Sequence, residues 1–561
     1  MLTLGISDNH DASAAICEDG RLIAACGQER IDRIKNSGSF PWGAMDAVLD
    51  AAGKRYRDVD QVVVGTAFTP SWLLRKFPRF HHGQKASNGQ FSYLLNAYIL
   101  YQVGLTKLNA QGLELRLCQK LFEKKIGDRG LDNARVKLID HHAAHAHSAY
   151  LSQSRDEVLV ITIDAMGDGI SATVWQGKDG KIERVFAQSG LAAINTYYSR
   201  VTEWLGFKAN RHEGKITGLA AYAQAPDTLK KHFATQLRFV GPGFTRQNYF
   251  KRQKTNDSFF QVLEEYSKEE VAAALQDNLE ESVTDLVRYW VERTGISHIA
   301  VAGGTFANVK MNQRISQMPE VDSLWVYPNM GDGGLAAGAA MMGSNAKPHA
   351  MNTAYLGPTA GESEMVRAIS RAGLTRTKPK NRAKAIAKLL AEGKVVAHFN
   401  GAMEWGPRAL GNRSLLVRPD DPSINDWLNQ RLDRTEFMPF APIVRAKNAP
   451  DFFLGLHKAE DAARFMTVCF DCTERFKEQA AGVVHVDGTA RPQIVHTEDN
   501  PELDAILVEF EKQTGLGSLV NTSFNLHEEP IVCSPHDAIR AWQGGKLDAL
   551  AMGPFLVERN D

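Results

Sequence analysis

Four histidines lie within one short run of the chain, His141-His-Ala-Ala-His-Ala-His147. The apolar residues Val136–Ile139 before it are predicted as a strand, and the run itself is predicted to open a helix. On a helix, His141 and His145 stand four positions apart and share a face. Two imidazoles on one face are suited to bind a single transition-metal ion. We therefore predict a metal site with His141 and His145 as ligands.

Carboxylates for the same metal are offered by two aspartates, Asp164 and Asp332. Each follows an apolar stretch predicted as a strand and lies in a glycine-containing loop. A set of imidazoles and carboxylates suits iron, zinc or manganese, and it leaves coordination positions for phosphate oxygens or water. Taken singly, each aspartate can equally cap a turn or orient magnesium, so the sequence alone leaves both functions open.

Two glycine-containing loops are candidates for binding phosphate. Each is predicted to precede a helix, whose N-terminus favours negative charge, and glycine lets the backbone approach a phosphate closely. Neither loop has the Walker A or the GxGxxG pattern, so ordinary turn geometry is the alternative for each. The cofactor-binding candidates in these loops are Gly303, Gly304, Asn308, Gly331 and Gly333.

The loop after the first apolar stretch carries His10 and Asp11. Histidine titrates near neutral pH, so His10 is a candidate general base, and a loop histidine bonded to the backbone is the alternative. Asp11 is a candidate for cofactor binding. The charged residues of Glu29–Lys35 follow, and they form either a solvated face or a set of cations directed at phosphates.

Polar and arginine-containing segments are concentrated towards the C-terminal end. Arginine binds phosphate and carboxylate with a fork of N–H groups, and short polar side chains after a strand bond either a ligand or the local backbone. Each segment therefore has an ordinary turn interpretation, but their joint density indicates an anion or nucleotide site. These segments are Asn400–Arg413, His485–Arg491 and Asn521–Asn525, and Phe437–Pro442 is interpreted as a stiff connection.

The elements that must position these residues follow one plan twice. Leu2–Ile6 and Val158–Ile163 are predicted as strands, and each is followed by an acidic loop, a second strand and an Asp-Gly turn. An Asp-Gly pair between apolar stretches is typical of a β-hairpin. Such an internal duplication predicts two similar lobes. A composition break at Gly343–Asn352 predicts a boundary near residue 350, and hence blocks 1–350 and 351–561 in an α/β protein.

Composition makes several classes of protein unfavourable. Lys plus Arg equals Asp plus Glu, at 65 each, so no basic excess points to a nucleic-acid partner. No apolar run reaches the ~18 residues of a membrane span, and six cysteines in 561 residues form no disulfide framework. Phe465–Cys472 is predicted as a strand, which would direct Cys469 and Cys472 to opposite faces and disfavour a zinc site. We expect a cytoplasmic protein without a membrane partner.

When its motifs are taken together, the sequence resembles the O-carbamoyltransferases that modify antibiotics and Nod factors. The resemblance covers essentially the whole chain, and the motifs taken together are specific to that family. They are Asn9–Ser13, Glu29–Lys35, His141–His145, Gly214–Ala220, Gly303–Asn308, Gly406–Ser414, Met438–Pro442, His485–Arg491 and Asn521–Asn525.

The resemblance implies a fold for each block and a reaction. The first block would be an actin-like (ASKHA) domain of duplicated ribonuclease-H-like lobes, similar to the tRNA threonylcarbamoyltransferase, and the second a YrdC-like domain that forms carbamoyl-adenylate. Carbamoyl phosphate and ATP would give carbamoyl-adenylate, whose carbamoyl group passes to a hydroxyl of a small molecule in antibiotic or other secondary metabolism. Iron is the implied metal, with manganese and zinc left open, and magnesium accompanies ATP. A homodimer also stays open.

The resemblance also assigns site residues. His10 matches a histidine that deprotonates the acceptor hydroxyl, and Lys35 matches a lysine near the same reaction centre. The matched metal ligands are His141, His145, Asp164 and Asp332. Many relatives have arginine at the position of Met438, and Arg434 is a candidate substitute. Carbamoyl phosphate and ATP are assigned to Arg408, Arg413, Arg491, Asn521, Ser523 and Asn525.

Three other functions fit the sequence less well. A tRNA-modifying transferase is disfavoured by the balanced charge and by the second block. A carbamoyltransferase of the hydrogenase-maturation type would need paired CxxC zinc modules, which the sequence lacks. A non-enzymatic, nucleotide-switched binding protein with the actin-like fold would need no histidine pair at i and i+4.

The acceptor alcohol is left open by the sequence, which is compatible with aminoglycoside sugars, macrolactones and oligosaccharides among others. Its contacts are expected in segments without a clear helical period, Phe68–Asn96 or Gly241–Phe259. Because carbamate is unstable in water, we expect a shielded passage or a close apposition between the two domains.

Overall fold

The computed structural model describes residues 1–77, 91–131, 133–246, 258–432 and 437–559. Contacts divide the chain into two compact units, Met1–Gln28 with Asn36–Ala350 and Glu29–Lys35 with Met351–Asp561. The predicted division places Glu29–Lys35 in the first block, but in the structure this segment belongs to the second unit. Both units combine helices and strands, so the chain is an α/β protein, as predicted. Within the described ranges, no helix has the length and apolar character needed to cross a membrane.

The first unit opens with five strands: β1 (Leu2–Ser7), β2 (Ser13–Glu18), β3 (Arg21–Gly27), β4 (Gln61–Val64) and β5 (Arg135–Leu138). They form one sheet in the order β3-β2-β1-β4-β5. β2 and β3 run antiparallel to their neighbours, whereas β4 and β5 extend the sheet in parallel from β1. The apolar side chains of these strands form a buried core with the helices that cover the sheet.

Seven further strands complete the unit: β6 (Val158–Gly167), β7 (Ile170–Lys178), β8 (Lys181–Ser189), β9 (Leu237–Val240), β10 (Gly243–Arg246), β11 (His298–Ala302) and β12 (Ser323–Val326). β9 and β10 pair with each other, and the rest form a sheet in the order β12-β11-β6-β7-β8. Here too the hairpin strands are antiparallel and the last two are parallel to the first strand. The two sheets share one topology, which is the repeat that the sequence pattern predicts.

The helices around these sheets pack closely where glycine removes a side chain. α1 (Gln28–Asp32) lies almost entirely in the second unit. The helices of the first unit are α2 (Trp42–Ala51), α3 (Trp72–Lys76), α4 (Phe91–Lys107), α5 (Gly112–Gly127), α6 (His141–Leu151), α7 (Ile194–Trp204), α8 (Glu213–Leu219), α9 (Asp227–Ala234), α10 (Ser258–Leu263), α11 (Lys268–Thr294), α12 (Val309–Gln317) and α13 (Leu335–Gly343). A Cβ at Gly338 of α13 would lie 1.9 Å from the carbonyl oxygen of Ala144 in α6. A Cβ at Gly5 of β1 would lie 1.9 Å from the carbonyl oxygen of Ala336. These two contacts fix α13 against α6, which carries His141 and His145, and against β1, which precedes the loop of His10.

The second unit is built on a seven-stranded mixed sheet. The strands of this unit are β13 (Val396–Phe399), β14 (Arg413–Val417), β15 (Ala441–Arg445), β16 (Phe470–Asp471), β17 (Thr489–Ala490), β18 (Gln493–Val495), β19 (Ser518–Ser523), β20 (Ala549–Met552) and β21 (Phe555–Glu558). The sheet has the order β18-β15-β19-β14-β13-β20-β21, and β16 pairs with β17. Its helices are α14 (Glu362–Arg371), α15 (Arg382–Ala391), α16 (Ile424–Arg431), α17 (Ala449–Phe452), α18 (Glu460–Ala463), α19 (Glu474–Gln479), α20 (Pro501–Thr514) and α21 (Pro535–Gly544). The apolar faces of α15 and α20 form a common core with the sheet.

Two sequence-based assignments in the second unit are wrong. Phe465–Cys472 is not a continuous strand, because its strand is limited to Phe470–Asp471, and Cys472 forms an isolated bridge with Phe453. Met466 has φ of 58°, a left-handed conformation that interrupts a strand. Asn521 and Ser523 were expected in a loop after a strand, but they lie inside β19, which continues to Ser523.

Candidate functional site

The predicted metal-binding helix is α6, which begins at His141. Asp140 caps this helix, since its carboxylate accepts a hydrogen bond from the backbone N–H of Ala143 at 2.8 Å. The rings of His141 and His145 have centroids 4.8 Å apart, and both side chains are buried. The predicted helix is confirmed, and the two imidazoles share one of its faces.

Two carboxylates meet these imidazoles. Asp164 Oδ2 lies 3.3 Å from His141 Nε2 and 3.2 Å from His145 Nε2. Asp332 Oδ1 lies 3.5 Å from each of the same nitrogens. One ligand atom from each residue lies within 4.8 Å of the other three. We call these residues the four-residue cluster: His141, His145, Asp164 and Asp332.

The two carboxylates reach the cluster from different elements. Asp164 lies inside β6, where the pairing with β7 becomes irregular, and not in a loop after the strand as expected. Asp332 begins a short 3-10 turn that leads into α13. The close packing of α13 on α6 therefore brings Asp332 to the imidazoles, although it is distant from them in sequence.

The four-residue cluster has the donor set of a divalent-metal site. Imidazole nitrogen together with carboxylate oxygen suits iron, manganese and zinc. Despite burial, Asp332 and Asp164 raise the pKa of His141 to about 9. Burial and the charge of Asp164 raise the pKa of Asp332, whereas, against burial, hydrogen bonds from the two histidines hold the pKa of Asp164 well below its usual range. A bound cation would take the place of the protons that these groups share.

His10 lies at the edge of the cluster with a side chain that is 54% exposed. Its Nδ1 is 3.5 Å from Asp332 Oδ2, and its Nε2 is 3.4 Å from Asp11 Oδ2. Loss of solvation opposes protonation of the ring, but the carboxylates of Asp11 and Asp332 raise the pKa of His10 above its ordinary value. Asp11 also accepts a hydrogen bond from Asn36 Nδ2 at 2.8 Å. The structure thus brings His10 and Asp11 to the cluster.

The first glycine loop lies directly against the cluster. Gly303 has φ of 106°, and a Cβ there would lie 2.2 Å from the carbonyl oxygen of Ile163 in β6. Only glycine fits at this close approach. A Cβ at Gly304 would lie 3.1 Å from Asp164 Oδ1. The loop therefore leaves backbone, and no side chain, beside one of the candidate ligands.

The other predicted residues of the glycine loops differ in their surroundings. A Cβ at Gly331 would meet open space, whereas Gly333 lies against a neighbouring asparagine. Asn308 caps α12, where its side-chain oxygen accepts from the backbone N–H of Met311 at 3.0 Å. The side-chain amide of Asn308 donates to Gln276 Oε1 at 2.9 Å. Asn308 thus stabilises the start of a helix and a buried amide network.

Sequence reasoning missed Asp168, which precedes Gly169 and was taken as part of an ordinary acidic loop. The buried Asp168 carboxylate accepts hydrogen bonds at 2.9 Å from the backbone N–H groups of Ala67, Phe68 and His141. These bonds tie the start of α6 to the loop after β4. The only signal in the sequence was the Asp-Gly pair, which any tight turn can produce.

In the second unit, Arg413 is placed differently from its predicted contact with phosphate. Its side chain is fully buried and donates to the carbonyl oxygens of Asn400 at 2.7 Å, Asn412 at 2.9 Å and Gly401 at 3.1 Å. The guanidinium carbon lies 3.8 Å from the centroid of the Phe399 ring. Burial lowers the pKa of the Arg413 guanidinium. In this structure Arg413 stabilises the loop between β13 and β14, which corrects its predicted role.

Glu404, which sequence reasoning did not single out, holds the same loop from inside. Its Oε1 accepts hydrogen bonds from the backbone N–H groups of Leu410 at 2.8 Å, Asn412 at 2.8 Å and Arg413 at 2.9 Å. The side chain is buried. One carboxylate oxygen therefore sets the path of the chain through Gly406–Ser414, one of the family motifs.

Two predicted asparagines of the second unit also bond the protein itself. The Nδ2 of Asn521 donates to the carbonyl oxygen of Ala409 at 3.0 Å and to Gln493 Oε1 at 2.8 Å. The Nδ2 of Asn525 donates to the carbonyl oxygen of Leu526 at 2.7 Å. Asn521 thus connects β19 to the loop between β13 and β14, residues 400–412, which we call the Arg413 loop.

The remaining predicted residues of this unit are more accessible. Arg408, Arg491 and Ser523 are partly exposed, and Lys35 is exposed. Lys35 belongs to the second unit, whereas His10 belongs to the first. Arg434 lies outside the described residues, as do large parts of the two segments expected to contact the acceptor.

Comparison with known families covers both units. The family model described as carbamoyltransferase N-terminus matches residues 2–341, and the model described as carbamoyltransferase C-terminus matches residues 387–559. This chain belongs to the carbamoyltransferase family. The predicted resemblance is confirmed, and the protein is a carbamoyltransferase enzyme. The first match contains the four-residue cluster, and the second contains the Arg413 loop.

Several relatives align with this carbamoyltransferase over most of their own length. Nodulation protein NolNO of Sinorhizobium fredii is 29% identical over 98% of this chain and 79% of its own. Nodulation protein NolO of Bradyrhizobium diazoefficiens is 31% identical over 75% of this chain and 79% of its own. Nodulation protein U of Rhizobium tropici is 27% identical over 98% of this chain and 94% of its own.

Among solved structures, the carbamoyltransferase has low similarity to HypF of T. kodakarensis. The two are 13% identical over 61% of this chain and 47% of that one, with a TM-score of 0.32. A glucokinase of the ROK family from Streptomyces griseus gives 13% identity over 60% of this chain and 98% of its own, with a TM-score of 0.29. At these scores neither similarity bears on the fold or the activity.

Proposed function

We propose that this carbamoyltransferase uses ATP to activate carbamoyl phosphate and transfers the carbamoyl group to a hydroxyl of a small molecule. Water releases phosphate from carbamoyl phosphate, and the carbamate displaces pyrophosphate from ATP to give carbamoyl-adenylate. The acceptor oxygen then attacks the carbonyl carbon, the bond from that carbon to the AMP oxygen breaks, and AMP leaves. The observation that carries this proposal is the family match across both units, together with a metal-type cluster in the first.

The folds proposed for the units follow the same division. Two sheets of one topology support an actin-like first unit of duplicated ribonuclease-H-like lobes. A YrdC-like assignment is proposed for the second unit, whose mixed sheet is covered by α15 and α20. In this proposal the first unit performs transfer and the second forms the adenylate.

The four-residue cluster is the proposed metal site, with iron as the expected ion and manganese or zinc as alternatives. When bound, a divalent ion supplies Lewis acidity and positive charge for phosphate oxygens. The protein holds the two imidazoles on one rigid helix, and it holds the two carboxylates on a strand and a turn packed against that helix. Magnesium is expected to accompany ATP.

His10 is the proposed base for the acceptor hydroxyl. Its half-exposed ring can accept a proton from a bound alcohol, and the carboxylates of Asp11 and Asp332 stabilise the protonated imidazole. The proton moves to a ring nitrogen as the acceptor oxygen forms its bond to the carbonyl carbon. Lys35 is kept as a proposed catalytic residue, now within the second unit.

The accessible polar groups of the second unit are proposed to bind carbamoyl phosphate and ATP. Arg408 and Arg491 offer guanidinium N–H groups to phosphate, and Ser523 offers a hydroxyl. Asn521 and Arg413 are proposed to act indirectly, by holding the loop that carries Arg408.

The proposed partner is a small alcohol in antibiotic or other secondary metabolism, and not a nucleic acid. Lys plus Arg and Asp plus Glu are 65 each, which gives no basic excess for binding a polyanion such as tRNA. A cytoplasmic location is part of the proposal.

Labelled carbamoyl phosphate, ATP and candidate alcohols test the proposal when product mass and pyrophosphate are both measured. We expect His10→Ala to lower carbamoylated product by ~10²–10⁴-fold while pyrophosphate release persists, because a general base acts only in transfer. Arg491→Ala should lower pyrophosphate release itself. Arg475→Ala removes an arginine that is 59% exposed and pairs with Asp451, and it serves as the control.

Each of the two steps has its own result that would contradict the proposal. Absence of pyrophosphate release by the unaltered enzyme would contradict ATP-dependent activation. Equal loss of pyrophosphate and product in His10→Ala would contradict the assignment of His10 to transfer.

A further inference from the structure

We propose that Asn9 is a positioning residue that selects which oxygen of Asp332 faces the metal, an inference that rests on the proposed metal site. Asn9 is 3% exposed. Its side-chain Nδ2 donates to Asp332 Oδ2 at 2.6 Å. The contact joins the loop after β1 to the turn before α13, two regions that are far apart in sequence.

The orientation of the Asn9 amide is fixed by its other end. Its Oδ1 accepts a hydrogen bond from Ser7 Oγ at 3.0 Å and one from the backbone N–H of Asp11 at 3.3 Å. Because the backbone N–H of Asp11 can only donate, the oxygen of the amide must face it, and the Ser7 hydroxyl then donates to the same oxygen. The nitrogen is therefore directed at Asp332, and a rotated amide would place oxygen against carboxylate.

This hydrogen bond divides the Asp332 carboxylate into two functions. Oδ2 is held by Asn9, whereas Oδ1 lies 3.5 Å from the Nε2 atoms of both His141 and His145. One oxygen is thus an anchor and the other is the candidate ligand. Outer hydrogen bonds of this kind orient metal ligands and tune the affinity of the site.

The chemistry of the donor also matters. An amide is neutral, so it orients Asp332 without cancelling the negative charge that attracts a cation. A lysine or arginine in the same place would put a positive charge beside the metal. Asn9 also precedes His10, so the same hydrogen bond fixes the backbone of the loop that presents the proposed base.

Metal binding by the metal-free, full-length protein tests this inference without any assay of activity. Co²⁺ is titrated into the unaltered protein and into Asn9→Leu, which keeps the side-chain size and removes the amide, with binding followed by visible absorption and calorimetry. We expect Asn9→Leu to weaken Co²⁺ binding by ~10–100-fold. Ser7→Ala, which removes one of the bonds that orient the amide, should give a smaller loss of the same kind.

The matched control is Asn278→Ala, which removes a buried asparagine whose Nδ2 donates to the carbonyl oxygen of Leu237 at 3.0 Å. Unaltered Co²⁺ affinity in Asn9→Leu would overturn the inference, and so would an equal loss in Asn278→Ala, since that would reflect general destabilisation. A failure of the unaltered protein to bind Co²⁺ contradicts the proposed metal site itself, which distinguishes the two failures.

Discussion

The four-residue cluster of the first unit and the Arg413 loop of the second both bury charged side chains, but they use them differently. In the loop, Arg413 donates to four backbone carbonyls, that of Pro358 at 3.4 Å among them, and Glu404 accepts from three backbone N–H groups. In the cluster, ligand atoms of two imidazoles and two carboxylates face one another within 4.8 Å. Buried charges bonded to the backbone stabilise a fold, whereas buried charges that converge on one point are arranged for a ligand.

The same contrast explains why residue type alone was a poor guide in the second unit. Arginine suits both phosphate and backbone carbonyls, and the choice depends on whether the loop folds around the guanidinium. The histidines and aspartates of the four-residue cluster leave less choice between a structural and a ligand-binding role. Two carboxylates this close repel each other unless protons or a cation lie between them.

The largest expected effect is on the stability of the second unit. Arg413→Met leaves four carbonyl oxygens without this donor, so we expect the second unit to lose about 3–5 kcal/mol of unfolding free energy. Hydrogen exchange of β14 and β19 in denaturant measures this locally. Arg418→Met, which removes an arginine that is 34% exposed and paired with Asp420, should cost ~0.2–1 kcal/mol. If the Arg413→Met variant were stable but no longer bound carbamoyl phosphate, that result would support the predicted contact of Arg413 with phosphate.

A smaller expected effect concerns the cluster. Asp164→Asn keeps the shape of the side chain but removes a negative charge that faces both imidazoles, so we expect Co²⁺ affinity to fall by at least ~100-fold, about 2.7 kcal/mol. Calorimetry measures the affinity, and exchange of β14 in the second unit should stay unchanged. Equal metal affinity in the variant would mean that the cluster is a structural charge network, like the Arg413 loop.

The smallest expected effect is at the start of α6. Asp140→Ala removes the N-cap that accepts from Ala143, and we expect a loss of about 1 kcal/mol in unfolding free energy of the first unit. Asp140→Asn keeps a capping oxygen and should lie close to the unaltered protein. Thermal and denaturant unfolding measure both. No difference between the two variants would show that Asp168, bonded to His141 N–H, is sufficient to fix the helix start.

Much of the local structure could be predicted from sequence because it depends on short-range geometry. The helix at His141 and the hairpins with Asp-Gly turns were all found from spacing. The position of Asp164 could not be predicted from spacing, because β6 extends through Asp164 at the point where its pairing with β7 becomes irregular. The strand predicted for Phe465–Cys472 failed because apolar composition does not reveal a left-handed residue such as Met466.

The sequence by itself determined the metal-type residues, the repeat of strands and the family, because these depend on spacing along the chain and on motifs within it. Only the tertiary structure decided which atoms meet. Packing of α13 on α6 brings Asp332 to the histidines, and Asn9 then engages one of its oxygens. The loop folds around Arg413, so its guanidinium bonds backbone carbonyls in place of the predicted phosphate. These partners are set by close packing between segments distant in sequence, which local propensity does not encode.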